Sequence, residues 1–118
     1  MSPFIDIASA DNEGARVISV RGELDLYTAP DLRTRLLSAV EDGQDEIVLD
    51  LRETTFMDST ALGVIIAALR ALQERGGRLV LVNERRSIAK TLAITGLDRV
   101  LPVTADLDTA LERVRVEA

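Results

Sequence analysis

The stretch IVLDL, which runs from Ile47 to Leu51, constrains the fold of this chain more than any other feature of the sequence. A short run that is almost entirely apolar is typical of a strand that is covered on both faces, as in a parallel sheet. The run from Leu79 to Val82 has the same character. Because strands of this kind need helices on each side, the two runs predict the centre of an α/β sheet.

Four segments with helical periodicity precede, separate and follow these strands. In the first, apolar residues recur at the spacing of one helix face over 32–40, and Gly43 is the expected stop. Thr28 is its candidate cap, with Pro30 and Asp31 in the first turn. The other three helices are predicted at about Ser59–Arg75, Arg85–Thr95 and Leu107–Val114.

Shorter strands are predicted on either side of the central pair. The segments Phe4–Ile7 and Ala15–Leu24 flank the turn residues Asp11–Gly14, so they are expected to pair as a hairpin. Val100–Val103 is predicted as a short edge strand, because Pro102 would interrupt a central ladder. The residues 52–57 are predicted as a connection between a strand and a helix.

The length of 118 residues is that of one domain. Strands that alternate with helices imply an α/β fold. We therefore predict a single domain over residues 1–118, with a small mixed β-sheet, about four α-helices and right-handed crossovers. Because 47% of the residues are hydrophobic and only 3% are aromatic, its core must be built from aliphatic side chains.

Composition also excludes several classes of function. The chain has neither cysteine nor histidine, which removes Ser-His-Asp and Cys-His catalysis and the usual zinc ligands. Enzyme activity, a cofactor and a metal site are therefore not expected. The net charge of −6, with Lys90 as the single lysine, argues against binding to nucleic acid or to anionic membranes. Since no signal peptide is visible and no apolar run approaches the ~20 residues that span a bilayer, a cytoplasmic protein is expected.

The trio Asp58-Ser59-Thr60 stands directly before nine uncharged residues, Ala61–Leu69. It follows the strand that ends near Leu51. Partner sites in α/β sheets favour the edge at which the strands have their carboxyl ends. All three residue types are good helix caps, so the simplest role for Ser59 is to start the helix. A helix start also stabilises an anionic group, so Ser59 is physically suited to carry a phosphate. The following helix is apolar nearly all round, which favours burial of its later turns and a partner surface near Ser59.

Four stretches carry a resemblance to a known family. In order along the chain, they are GELDLYTAPDLR (Gly22–Arg33), IVLDLRETTFMDSTALGVII (Ile47–Ile66), GGRLVLVN (Gly76–Asn83) and ITGLDRVLPV (Ile94–Val103). Together they resemble the bacterial anti-sigma factor antagonists of the STAS domain family over nearly the whole chain. The most specific element is the strand that leads to Asp-Ser-Ser/Thr and a helix. The resemblance implies the same small mixed sheet with helices.

The resemblance further implies partner switching. In this family, the unphosphorylated antagonist binds an anti-sigma factor that is also a serine kinase, and this binding frees a sigma factor. The kinase uses ATP to phosphorylate one serine of the antagonist and so releases it, and a metal-dependent serine phosphatase restores the active form. The accepting serine directly follows the Asp of the motif. Ser59, after Asp58, is therefore the expected acceptor in this chain.

Partner contacts are expected on both sides of this serine. They are Asp58, Thr60, Ala61 and Leu62 at the helix start and Glu23, Asp25, Tyr27 and Thr28 on the loop before the first helix. For Glu23, a solvated turn is an equally good interpretation. The family usually has Gly at the position of Ala61, so a methyl group is expected where the kinase comes close. The lack of cysteine excludes control by disulfides. Family members act as monomers or weak dimers, and the same is expected here.

Two other classes of function compete with this one. STAS-like domains also serve as non-phosphorylated scaffolds or regulatory subunits in stress-sensing and transport complexes, and Ser59 would then be a relic. A phosphorelay receiver, with phosphate on Asp50 or Asp58, needs a cluster of acidic residues and a lysine after a later strand. Lys90 lies instead inside a predicted helix, which argues against a receiver.

Overall fold

The computed structural model describes residues 5–115, which form one mixed sheet with helices on both faces. The strands are β1 (Ile5–Asn12), β2 (Ala15–Leu24), β3 (Glu46–Met57), β4 (Arg78–Val82) and β5 (Val103–Thr104). The α-helices are α1 (Ala29–Glu41), α2 (Ser59–Gln73), α3 (Arg86–Thr95) and α4 (Leu107–Arg115), and a 3-10 turn covers Leu97–Arg99. The prediction of an α/β fold with a small mixed sheet and about four helices is confirmed.

The strands follow one another in the sheet in the order of the chain, β1-β2-β3-β4-β5. Strands β1 and β2 are antiparallel and form the predicted hairpin, whose turn contains Glu13 and Gly14 with positive φ values of 51° and 96°. The other neighbours are parallel. Residue Phe4 of the predicted first strand lies outside the described residues. Parallel pairing places the carboxyl ends of β2, β3 and β4 at one edge of the sheet.

Strand β3 is longer than the sequence predicts. The prediction that residues 52–57 are a connection is wrong, because the strand continues to Met57 beside the end of β2. Two register shifts let the polar second half of β3 follow β2. The buried hydroxyl of Thr54 donates to the carbonyl oxygen of Val20 over 2.9 Å. A polar side chain is thus accommodated at a position where the sequence pattern had suggested a loop.

Two hydrophobic clusters lie on opposite faces of the sheet. The larger one joins α1, α2 and α3 to the sheet, and its central strand residues include Ile47, Leu49 and Leu51. The smaller one joins α4 to the first halves of β2 and β3 and to β4, through residues such as Val48 and Val80. The central strand is therefore buried on both faces, as its apolar sequence predicts.

The last part of the chain differs in detail from the prediction. Strand β5 is confined to Val103–Thr104 rather than Val100–Val103, because the N–H groups of Val100 and Leu101 donate to the carbonyl oxygen of Leu97 in the 3-10 turn. It lies at the edge of the sheet, as expected, and the carbonyl oxygen of Pro102 accepts a hydrogen bond from the Leu81 N–H over 3.0 Å. Gly96, with a φ of 79°, ends α3 in the left-handed conformation that glycine adopts most easily.

Candidate functional site

The candidate site lies where β2 and β3 end side by side. Leu24 is paired with Met57, and each strand then leaves the sheet into a different element. The backbone N–H of Asp58 donates to the carbonyl oxygen of Leu24 over 3.1 Å. The loop that precedes α1 and the start of α2 are therefore joined directly. The sequence-based expectation that both lie at the same edge of the sheet is correct.

Asp58 is the residue that caps α2. Its backbone is extended, with φ of −107°, and its Oδ1 accepts hydrogen bonds from the N–H groups of Thr60 and Ala61 over 2.9 and 3.2 Å. Its carbonyl oxygen accepts from the N–H of Leu62 and so begins the helical hydrogen-bond pattern. One carboxylate satisfies two of the N–H groups that a helix start leaves free. The helix therefore does not need the Ser59 side chain as a cap.

Ser59 is the first residue of the helix proper, and its side chain is exposed. Within residues 5–115, no group forms a hydrogen bond with its hydroxyl. Thr60 is exposed as well. The structure thus removes the simplest role for Ser59, which was to start the helix, and leaves a free hydroxyl at the sheet edge.

The loop before α1 is shaped by Asp25 and Thr28. Asp25 Oδ1 accepts hydrogen bonds from the N–H groups of Tyr27 and Thr28 over 2.9 and 3.1 Å. The Thr28 hydroxyl donates to the carbonyl oxygen of Glu23 over 2.7 Å and accepts from the N–H of Asp25 over 2.9 Å. Tyr27 and Glu23 are left exposed, and Tyr27 has 79% of its surface accessible.

Thr28 corrects two expectations. Thr28 is buried, with 2% of its surface exposed, so its side chain is not available to a partner. It also stands at the cap position of α1 without making a side-chain capping bond, because its hydroxyl is engaged with the loop. Thr28 therefore holds the loop in shape and does not form part of its outer surface.

Ala61 and Leu62 correct the expected contact list at the helix start. Their exposed fractions are 0% and 5%, and both belong to the larger hydrophobic cluster. The side chains that immediately follow Thr60 therefore point into the core. The methyl group that Ala61 carries in place of the family's usual glycine lies inside the protein and not at its surface.

Two apolar residues at this edge were missed in the sequence. Leu26 in the loop and Phe56 at the end of β3 have exposed fractions of 61% and 49%. Phe56 is paired with Glu23 across the two strands, next to the pair that joins the strand ends. We call Leu26, Tyr27, Phe56 and Ser59 together the Ser59 edge. The sequence offers no signal for Leu26 beyond an apolar residue in a predicted loop, and Phe56 was obscured because its segment was predicted as a connection.

A second, polar surface lies on the part of the sheet that α4 leaves uncovered. It is a shallow cavity of about 630 Å³ lined by Asp6, Ala8, Ser19, Val20, Arg21, Asp50, Arg52, Glu53 and Glu84. Arg52 forms a two-pronged ion pair with Asp50, with N–O distances of 2.9 and 2.8 Å. Hydrogen bonding to Asp50 raises the pKa of the Arg52 guanidinium above its usual value. The Asp50 carboxylate is thereby occupied, which argues against its use as a phosphate acceptor.

Two other kinds of site are absent from residues 5–115. No helix in this range is both long and apolar enough to cross a membrane. The same range contains no cluster of three or more acidic side chains suited to hold a metal ion.

The fold and the loop-to-helix corner define a class of protein. A model of the STAS domain matches residues 6–110, so the chain belongs to the STAS domain family. The resemblance noted in the sequence is confirmed. The chain is 33% identical over 101 residues to the anti-sigma-B factor antagonist of Bacillus subtilis (strain 168), and the match covers 86% of this chain and 92% of that protein.

Solved structures agree with this assignment. The crystal structure of an anti-sigma factor antagonist from Mycobacterium paratuberculosis is 32% identical, has a TM-score of 0.89 and matches over 95% of each chain. The Bacillus cell fate determinant SpoIIAA in the phosphorylated form is 26% identical, with a TM-score of 0.73, over 93% of this chain and all of the other. Relatives of this chain are thus antagonists of anti-sigma factors, and the structure of one of them has been solved in its phosphorylated form.

Proposed function

We propose that this chain is an anti-sigma factor antagonist that acts by partner switching. In its unphosphorylated form it binds an anti-sigma factor that is also a serine kinase, and a sigma factor is freed. Phosphorylation of Ser59 ends that complex, and a serine phosphatase restores it. The chain is a binding partner and a kinase substrate, not an enzyme, and it needs no cofactor or metal of its own.

The observation that carries this proposal is the free hydroxyl of Ser59. Asp58 already bonds the N–H groups of Thr60 and Ala61, so the helix start is complete without Ser59. The Ser59 side chain is exposed on a corner that the Asp58–Leu24 hydrogen bond joins to the neighbouring loop. A kinase can therefore reach the hydroxyl without unfolding any part of the domain.

The charges around Ser59 explain how a phosphate would act. Since Asp58 occupies two of the free N–H groups, a phosphate on Ser59 gains less from the helix start than the sequence suggests. It adds about −1.5 to −2 charge at neutral pH beside the carboxylate of Asp58. A partner that brings bound nucleotide phosphates to this edge is then repelled, and the phosphate must also lose its hydration on binding. No large conformational change is needed for release.

The Ser59 edge has the composition of a protein-binding surface. Leu26, Tyr27 and Phe56 offer exposed apolar area, and exposed aromatic residues are enriched where proteins associate. Glu23 adds a solvent-exposed carboxylate beside them. The proposed contacts with the partner are therefore Glu23, Leu26, Tyr27, Phe56, Asp58 and Thr60. Thr28, Ala61 and Leu62, which the sequence suggested, are buried and are not among them. Asp25 contributes mainly by shaping the loop.

Further parts of the proposal follow from the family and from composition. The domain takes up residues 1–118, although the family model itself matches 6–110. The protein is cytoplasmic, a monomer or weak dimer, and binds neither nucleic acid nor membranes, in line with its net charge of −6.

Phosphorylation in vitro tests the proposal. The chain is incubated with ATP and each kinase-type anti-sigma factor of the source cell, and the phosphorylated peptide is identified by mass spectrometry. We expect phosphate on Ser59, and none in the Ser59→Ala variant. Phosphate on Thr60 alone would refute the assignment of the acceptor. If no kinase of this type binds or modifies the chain, the non-phosphorylated scaffold becomes the better description.

A further inference from the structure

At six of the seven glycine positions, the structure of the chain itself explains why the residue is glycine. Five adopt positive φ angles: Gly14 (96°), Gly22 (120°), Gly43 (90°), Gly76 (75°) and Gly96 (79°). The sixth, Gly77, has negative φ, but a Cβ atom there would lie 2.7 Å from the carbonyl oxygen of Asp45. Real Cβ atoms do not approach a backbone oxygen so closely, so a side chain at that position would force the backbone apart.

Gly63 is the exception. It lies inside α2, its φ is not in the positive region, and a Cβ atom built on it would meet no heavy atom within 4 Å. The residue is exposed. Glycine in the interior of a helix is less favourable than alanine, because it loses more backbone freedom on folding. The fold of this domain would therefore be more stable with alanine at this position, so the reason for the glycine lies outside the chain.

The position of Gly63 indicates what that reason is. It lies four residues after Ser59, which in an α-helix places it about 6 Å further along the axis and only about 40° round it. Residues at this spacing are neighbours on the same helix face. Ile66 and Ala67, one turn further on, are also exposed, and no charged residue stands between Ser59 and Arg70. An object that reaches the Ser59 hydroxyl along this face passes directly over Gly63.

We infer that Gly63 is a clearance position: it lets the backbone of the kinase-type anti-sigma factor come into contact with α2 beside Ser59. This inference rests on the proposed function, because it concerns the partner that binds at Ser59. A side chain at residue 63 would hold that backbone away by the size of the side chain. Binding would become weaker. Phosphate transfer would become slower, since it requires the reacting atoms to be placed within a fraction of an ångström.

The substitution Gly63→Ala tests the inference, because stability and binding should change in opposite directions. The midpoint of thermal unfolding should rise by about 4 °C, since alanine is the better helix former and its methyl group meets nothing. Affinity for the ADP-loaded anti-sigma factor kinase, measured by calorimetry, should fall about tenfold, because a methyl group inserted into a close contact is poorly tolerated. The single-turnover rate of Ser59 phosphorylation should fall as well. Gly63→Leu should lower affinity further.

Ser38→Thr is the matched control, since it adds one methyl group at an exposed helical position near the end of α1, which is the end of that helix away from the Ser59 edge. It should leave affinity and phosphorylation within about twofold of the wild type. If Gly63→Ala binds and is phosphorylated like the wild type, the inference is wrong while the proposed function stands. If the wild-type chain neither binds nor is phosphorylated by any such kinase, the proposed function fails and the inference fails with it.

Discussion

The backbone N–H of Asp58 donates to the carbonyl oxygen of Leu24 over 3.1 Å, and this bond fixes the start of α2 to the end of a neighbouring strand. The same residue holds the first turn of the helix through its carboxylate. Asp58 therefore positions Ser59 without contribution from the Ser59 side chain. It follows that the position of Ser59 and its chemistry can be altered separately.

Ser59→Ala should leave the stability of the fold almost unchanged. The hydroxyl caps nothing and is exposed, so its removal is expected to change the free energy of unfolding by less than about 0.5 kcal/mol. Urea unfolding followed by circular dichroism gives this difference. A loss above about 1 kcal/mol would mean that the hydroxyl has a structural partner after all.

Asp58→Ala should behave in the opposite way. It removes the acceptor for two backbone N–H groups and is expected to cost about 1 kcal/mol, within the range of 0.5–2 kcal/mol for lost helix caps. Asp58→Asn is the matched control, because its side-chain oxygen can still accept both bonds. Denaturant unfolding of the two variants should separate them. Equal stability of the alanine and asparagine variants would contradict the capping role.

Most of the fold was predictable because its elements have clear local signals. The apolar run at 47–51 predicted a strand buried on both faces, and the Gly96 stop of α3 was visible as well. The extension of β3 over residues 52–57 was not predictable from the sequence. Its sequence is polar, and its strand conformation depends on pairing with β2 and on the hydrogen bond from Thr54 to Val20, which are non-local. Local patterns cannot report such contacts.

The candidate site was predictable in location but only partly in detail. The sequence indicated that Asp58, Ser59 and Tyr27 would meet at one edge, and they lie at adjoining strand ends. It could not tell which residue of the Asp58-Ser59-Thr60 trio caps the helix, because all three are good caps. The direction of the side chains that follow Thr60 depends on how α2 rotates onto the core, and that is decided by tertiary packing. The role of Ser59 as acceptor stays a prediction.

Ala61→Gly should weaken the fold and leave the switch intact. The Ala61 methyl group is fully buried in the larger hydrophobic cluster, and glycine is also the poorer helix former. We expect a loss of roughly 1–2 kcal/mol in the free energy of unfolding from the two effects together. At a temperature where both proteins are folded, the rate of Ser59 phosphorylation should be unchanged. A faster rate in the glycine variant would show that residue 61 does influence access of the kinase.

Acidic substitutions of Ser59 should reproduce part of the effect of the phosphate. Ser59→Asp and Ser59→Glu each place one negative charge next to Asp58 at a surface that must lose water when the partner binds. A buried charge that is poorly paired costs about 2–5 kcal/mol, which is a factor of roughly thirty to several thousand in affinity. Ser59→Ala adds no charge and should bind like the wild type, so it is the control.

The order of affinities is the decisive measurement. A carboxylate is smaller than a phosphate and carries less charge, so the acidic variants should bind less tightly than the wild type but more tightly than the phosphorylated protein. Calorimetry with the nucleotide-loaded anti-sigma factor kinase should therefore rank the alanine variant beside the wild type, the acidic variants below both and the phosphoprotein last. Because the Ser59 side chain takes no part in the capping bonds of Asp58, all these forms should fold alike, which circular dichroism and thermal unfolding check. If the phosphorylated protein bound as tightly as the wild type, Ser59 would not be a switch, and the chain would be better described as a scaffold.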